Sequence, residues 1–235
     1  MTVRKEIDME RVGGYKYKGI VFDLDNTLLR SSIDFAKMKQ SVFDLLVGQG
    51  IFPGDFPLRD HTTATLIESA RATGRFSPEL ERKAWDIVVR LEREGMRGAD
   101  LEPNVREVLA KLHSRLTLVV LTNNARSAAL DALERTGVAR CFDLVVGREQ
   151  MGALKPSPCG FRYVLSQYAG TAPKQWLAVG DSWIDGKAAQ DAGVPFLAYR
   201  SDEKQLERHG VKPIGRIESM SDLLAFCKMT EPDVP

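Results

Sequence analysis

Cysteine is scarce in this chain, and the three present do not pair. Cys141, Cys159 and Cys227 are odd in number and far apart among 235 residues, which speaks against a disulfide framework and against a cysteine-built metal centre. Reduced thiols are expected. The three histidines, His61, His113 and His209, show no pairing or ligand spacing either. Charge of either sign is not in excess. Lys and Arg total 33 against 32 Asp and Glu, so no general basic surface exists to hold nucleic acid. No apolar run is long enough to cross a bilayer. Met1–Glu10 mixes Arg4 and Lys5 with Glu6, Asp8 and Glu10 and lacks the apolar centre of a signal peptide. Internal repeats and low-complexity segments are also missing. The expectation is a cytoplasmic globular protein with neither nucleic acid nor membrane as partner. The length suits one large domain or a domain carrying an insertion.

What is present is a series of short apolar strands that end in polar residues. Gly19-Ile20-Val21-Phe22 runs into Asp23-Leu24-Asp25-Asn26-Thr27, two carboxylates at i and i+2 with a hydroxyl two residues on. Carboxylates at a buried strand end are costly unless a cation or a reaction needs them. One of the two could act as a nucleophile and the other could move protons; an Asx-type turn is the plain alternative. Val119-Val120-Leu121 ends at Thr122-Asn123-Asn124, and Trp176-Leu177-Ala178-Val179 ends in Gly180-Asp181-Ser182-Trp183-Ile184-Asp185. Lys155-Pro156-Ser157-Pro158 follows a further strand-like stretch, Asp143–Val146. In open α/β sheets, strand ends are where chemistry is placed.

Helical patterns alternate with these strands. Val105, Val108, Leu109 and Leu112 share one face, Ser127 to Thr136 is closed by Gly137, and Phe161–Tyr168 and the run from Asp185 to Gly193 follow. Pro195–Tyr199 is a fifth strand and Ser221–Met229 a terminal helix. The alternation predicts an α/β fold, a Rossmann-like doubly wound parallel sheet. The rhythm breaks over residues 30–102, which read as helical. Phe35, Met38, Val42, Leu45 and Leu46 form one stripe, Leu66, Ile67 and Ala70 a second, and Leu80, Ala84, Ile87, Val88 and Leu91 a third. Ser77-Pro78-Glu79 is a helix start with Ser as cap. Residues 1–29 and 103–235 are thus expected to form the core domain, and 30–102 an inserted helical domain.

The four polar clusters, taken in order, resemble the haloacid dehalogenase (HAD) superfamily. DxDx[TV] is Asp23, Asp25 and Thr27. The strand-terminal hydroxyl is Thr122, the lysine is Lys155, and GDxxxD is Gly180, Asp181 and Asp185. Asn26 stands where Gly is more usual, and Asn tolerates left-handed backbone. The resemblance implies a phosphatase, of phosphoglycolate-phosphatase-like type, with residues 30–102 as a C1 cap over the site. It implies Asp23 as nucleophile forming a phosphoaspartate and Asp25 as general acid and base, with Thr27 orienting Asp25. Thr122 and the backbone N–H of Asn123 would bind phosphate oxygens, and Lys155 would neutralise charge. Mg²⁺ would be held by Asp23, Asp181, the backbone carbonyl of Asp25 and, through water, Asp185, which could instead hold Lys155.

The expected substrate is a small phosphorylated metabolite. Phosphomutase is the alternative, since it uses the same groups and differs only in the acceptor. Dehalogenase and phosphonatase chemistry fit less well, because Asp25 is present. A catalytically silent module would have lost some of these residues. Asn124 reads as a cap for the helix near Arg126. Arg59, Arg71 and Arg75 read as a solvated face with an outside prospect of meeting a substrate anion. Oligomeric state is not legible.

Overall fold

The computed structural model describes residues 15–228; Gly13-Gly14, the terminal tail and the end of the terminal helix at Met229 lie outside them. The chain divides into two compact units, one of residues 31–98 and the other of the remainder.

The larger unit is built on a six-stranded sheet whose adjacent strands are all parallel. In chain order its strands are β1 (Gly19–Phe22), β4 (Thr117–Leu121), β5 (Leu144–Val146), β6 (Trp176–Gly180), β7 (Phe196–Tyr199) and β8 (Gly215–Ile217). Their spatial order is β5-β4-β1-β6-β7-β8. The chain winds outward from β1 through β4 and β5, then returns to build β6, β7 and β8 on the other side. The winding therefore reverses at β1, and a crevice opens at the carboxyl ends of the strands beside it. Register completes the arrangement. Phe22 lies level with Val120 of β4 and Val179 of β6, so the residues that follow these strands emerge side by side.

Near-continuous apolar runs form these strands because both faces are covered. Val21, Val119, Leu121, Ala178 and Ala198 share a core with Phe161 and Val164 of α6 (Cys159–Gln167) and with Ala188 and Ala189 of α7 (Trp183–Asp191). The alternate positions, Ile20, Phe22, Leu118, Val120, Leu177 and Val179, are buried as well. Helix α4 (Val105–Leu112) buries the four residues its periodicity selects, Val105, Val108, Leu109 and Leu112. Helix α5 (Arg126–Arg135) ends at Gly137 with φ 72°, a left-handed stop that glycine takes without steric cost. The fold class read from the sequence is the one found. Helix α8 (Glu203–Arg208) and strand β8 were not foreseen, and the terminal helix α9 is Asp222–Cys227.

Two further strands, β2 (Leu29–Arg30) and β3 (Asp100–Leu101), pair antiparallel with Leu29 against Leu101. Both belong to the larger unit, next to the points where the chain leaves it and returns, and Asp25 forms a bridge to Leu29. Unit 31–98 holds α1 (Phe35–Gly48), α2 (Thr63–Ala72) and α3 (Pro78–Met96), with α1 packed on both others. Ser77 caps α3 with Pro78 in its first turn. The α1 stripe is Met38, Val42, Phe43 and Leu46. Phe43 replaces the expected Phe35, which opens the helix and is 48 % exposed. Arg71 pairs with Glu81, and Arg75 donates to the carbonyls of Gly50 (3.0 Å) and Ile51 (2.8 Å), so both are used within this unit.

Candidate active site

Asp23 directly follows β1, and its backbone N–H donates to Val179 O at 2.9 Å, which continues the ladder one residue past the strand. The chain then turns tightly. Leu28 and Leu29 N–H both return to Leu24 O at 2.9 Å, and Asn26, with φ 57°, donates to Leu29 O at 2.7 Å. That left-handed residue lets Asp25 and Thr27 stand close to Asp23 on one short loop.

Lys155 arrives from the loop after β5. It is only 3 % exposed, yet its Nζ has three partners: Asp23 Oδ1 and Asp185 Oδ1, each at 2.6 Å, and Leu121 O at 2.9 Å. Burial works against the ammonium, but Asp185 and Asp23 outweigh it and hold the lysine above its ordinary pKa. Asn123 fixes the lysine backbone. Its side-chain Oδ1 accepts Lys155 N–H at 2.9 Å and its Nδ2 donates to Lys155 O at 3.0 Å. The Lys155–Pro156 peptide is cis.

Asp181 and Asp185 come from β6 and α7. Asp185 is the third residue of α7, and its Oδ2 accepts Ser182 N–H at 3.1 Å in a capping box. Its helix-capping and lysine-holding functions therefore coexist. Gly180 makes room for it, because a Cβ there would lie 2.7 Å from Asp185 Cβ and Cγ. One oxygen from each of Asp23, Asp181 and Asp185 can be chosen so that all lie within 4.8 Å of one another. Burial, then the charges of Asp23 and Asp185, push Asp181 up to about 8; burial and Asp23 raise Asp185 despite Lys155. Three carboxylates around one ammonium leave the pocket short of positive charge. An all-oxygen donor set with that deficit suits a hard divalent cation.

Thr122 is 1 % exposed and its backbone N–H donates to Val146 O at 3.0 Å. Thus the structure brings Asp23, Asp25, Thr27, Thr122, Asn123, Lys155, Asp181 and Asp185 to the carboxyl-end side of the sheet around β1. Two details differ from expectation. Thr27 Oγ1, assigned to Asp25, donates instead to Asp181 Oδ1 at 3.3 Å, because β1 and β6 are neighbours. Asn124 does not cap the following helix. Ala125 holds that position with no side-chain bond, and Asn124 Nδ2 donates to Asp25 Oδ2. Arg148, buried after β5, was also missed: its Nη1 donates to Asn123 O at 3.3 Å. Its lone Arg-Glu-Gln setting carries no sequence signal for that contact.

Comparison with known proteins shows the family. The haloacid dehalogenase-like hydrolase family matches residues 20–199. A phosphoglycolate phosphatase of Vibrio cholerae is 31 % identical over 186 residues, covering 75 % of this chain and 81 % of that protein. A crystal structure from Haemophilus somnus 129pt, described as a predicted phosphoglycolate phosphatase, superposes with a TM-score of 0.65 at 25 % identity, covering 91 % of this chain and 99 % of the other. A haloacid dehalogenase-like hydrolase from Bacteroides fragilis gives a TM-score of 0.66 at 20 % identity over 88 % of this chain and 99 % of its own, a likeness of fold. Among the described residues no helix is long and apolar enough to cross a membrane.

Proposed function

The chain belongs to the haloacid dehalogenase-like hydrolase family, and on that premise we propose that it hydrolyses a small phosphomonoester through a phosphoaspartate on Asp23. The observation that carries this reading is the contact of Lys155 with Asp23 and Asp185 beside Asp181 and Thr122, four separate chain segments meeting at the carboxyl ends of the central strands.

Phosphoryl transfer asks for in-line positioning and neutralised charge more than for unusual groups. A carboxylate oxygen of Asp23 attacks phosphorus. As the ester P–O bond breaks, Asp25 gives its proton to the departing oxygen. In the second half Asp25 takes a proton from water, whose oxygen bonds phosphorus as the Asp23–P bond breaks. Lys155 faces Asp23 throughout and offsets the charge of the transferring group. Thr122 and the backbone N–H of Asn123 bind the equatorial phosphate oxygens. Asp23, Asp181 and the backbone carbonyl of Asp25 would hold Mg²⁺, with Asp185 outside them because its two oxygens serve Lys155 and Ser182. When bound, Mg²⁺ neutralises the repulsion between Asp23 and the phosphate oxygens.

Residues 31–98 are read as a lid that excludes water and selects the substrate. Its two connections, β2 and β3, run side by side, and β2 begins two residues after Thr27, a hinge adjacent to the catalytic loop. Relatives named phosphoglycolate phosphatase support phosphoglycolate as the substrate, and a sugar phosphate is the other small phosphomonoester to test. The test is phosphate release from a panel of phosphorylated metabolites with Mg²⁺, with phosphoglycolate and glucose 1-phosphates included. Release from a small phosphomonoester supports the reading; isomerisation of a sugar phosphate without release assigns a mutase, and no turnover of any member refutes both.

A further inference from the structure

Asn124 is 4 % exposed and held at three points. Its backbone N–H donates to Thr122 Oγ1 at 3.1 Å, its carbonyl accepts Arg148 N–H at 3.0 Å, and its side-chain Nδ2 donates to Asp25 Oδ2 across 99 residues of sequence. Asparagine is a strong helix cap, and α5 starts two residues later. Yet the cap position falls to Ala125, which makes no side-chain cap bond, and Glu149 Oε2 accepts the first helical N–H, that of Arg126, at 2.9 Å. The Asn124 side-chain N–H thus serves Asp25, and the first N–H of the helix is satisfied by Glu149.

We infer that Asn124 is a positioning residue for Asp25, fixing its carboxyl so that proton transfer to the leaving group and from water is correctly aimed. This rests on the phosphatase reading above. An amide N–H directed at Oδ2 makes that oxygen an acceptor and restrains the carboxyl. A neutral donor accommodates both the acid and the base form. The bond also fixes the carboxyl plane about Cβ–Cγ, and the backbone N–H of Asn124 ties that plane to Thr122 Oγ1 while its carbonyl is held by Arg148.

The test separates esters by how much they need a proton. A nitrophenolate departs unprotonated, whereas an alkoxide does not, and kcat/KM reports the steps through P–O cleavage. With Mg²⁺ present, Asn124→Ala is expected to lower kcat/KM for the best alkyl phosphomonoester of the panel about 100-fold, and that for p-nitrophenyl phosphate only a few-fold. Asn124→Asp keeps the side-chain size without the donor and is expected to show the same split, which holds the test open if the alanine variant does not fold. Equal losses for both esters, or no loss, would overturn the role with the phosphatase reading intact. Wild-type protein inert toward both esters would overturn the reading and the role together.

Discussion

Lys155 Nζ lies 2.6 Å from Asp23 Oδ1, with the lysine side chain 2 % exposed and that of the aspartate 12 % exposed. An ammonium this deeply buried is sustained by its carboxylates, and removing one side of such a pair strands the other. Lys155→Met is therefore expected to cost about 3–5 kcal/mol in metal-free protein, as a buried ion pair broken on one side does. Urea denaturation in EDTA measures it. Phosphatase activity is expected to fall by at least about 100-fold, including at temperatures where the variant is fully folded.

The raised pKa of Asp181 gives a pH dependence with a definite sign. Its ordinary value is 3.8 and its value in the fold about 8. Between roughly pH 4 and pH 8 the metal-free folded state therefore holds more protons than the unfolded chain, and stability falls as pH rises. Asp181→Asn is expected to flatten that slope. Mg²⁺ should reverse it in the wild type, binding more tightly as pH rises because it displaces the proton. Urea midpoints across this range, with EDTA or with Mg²⁺, read both effects.

Gly180→Ala would place a methyl 2.7 Å from Asp185 Cβ and Cγ. Asp185 must move, taking with it the contacts to Lys155 and Ser182. The expected cost is about 1–3 kcal/mol, with a loss of activity out of proportion to it. Thermal denaturation and steady-state turnover of the same preparation give the comparison.

Asn26, at φ 57°, tests the turn between Asp25 and Thr27. Asn26→Gly is expected to stay within about 0.5 kcal/mol of wild type, and Asn26→Val to lose about 1–2 kcal/mol from left-handed strain. Denaturant midpoints of the two variants check the order, and turnover should follow it.

Much of this site was legible because three of its four polar clusters sit at the ends of apolar runs, and apolar runs in alternation with helical stripes dictate a parallel sheet. Asp23, Thr122 and Asp181 could be grouped before their strands were placed. What the sequence did not show depends on which strands are neighbours. The bond from Thr27 to Asp181 exists because β1 lies beside β6, and that from Asn124 to Asp25 because β1 lies beside β4. Arg148 escaped for the same reason. Strand β8 escaped for another: of Gly215, Arg216 and Ile217 only Ile217 is buried, too little to mark an edge strand. In α1, Phe35 and Phe43 both fit an apolar face, and packing within its own unit chose Phe43.

Bond formation between Asp23 and phosphorus is the step on which the proposed chemistry rests. Acid quenching during turnover of a radiolabelled phosphomonoester, followed by peptide mapping, measures it directly. Label is expected on the peptide containing Asp23 in the wild type, and neither label nor turnover in Asp23→Asn. Turnover by Asp23→Asn at the wild-type rate, or label carried on another residue, would contradict it.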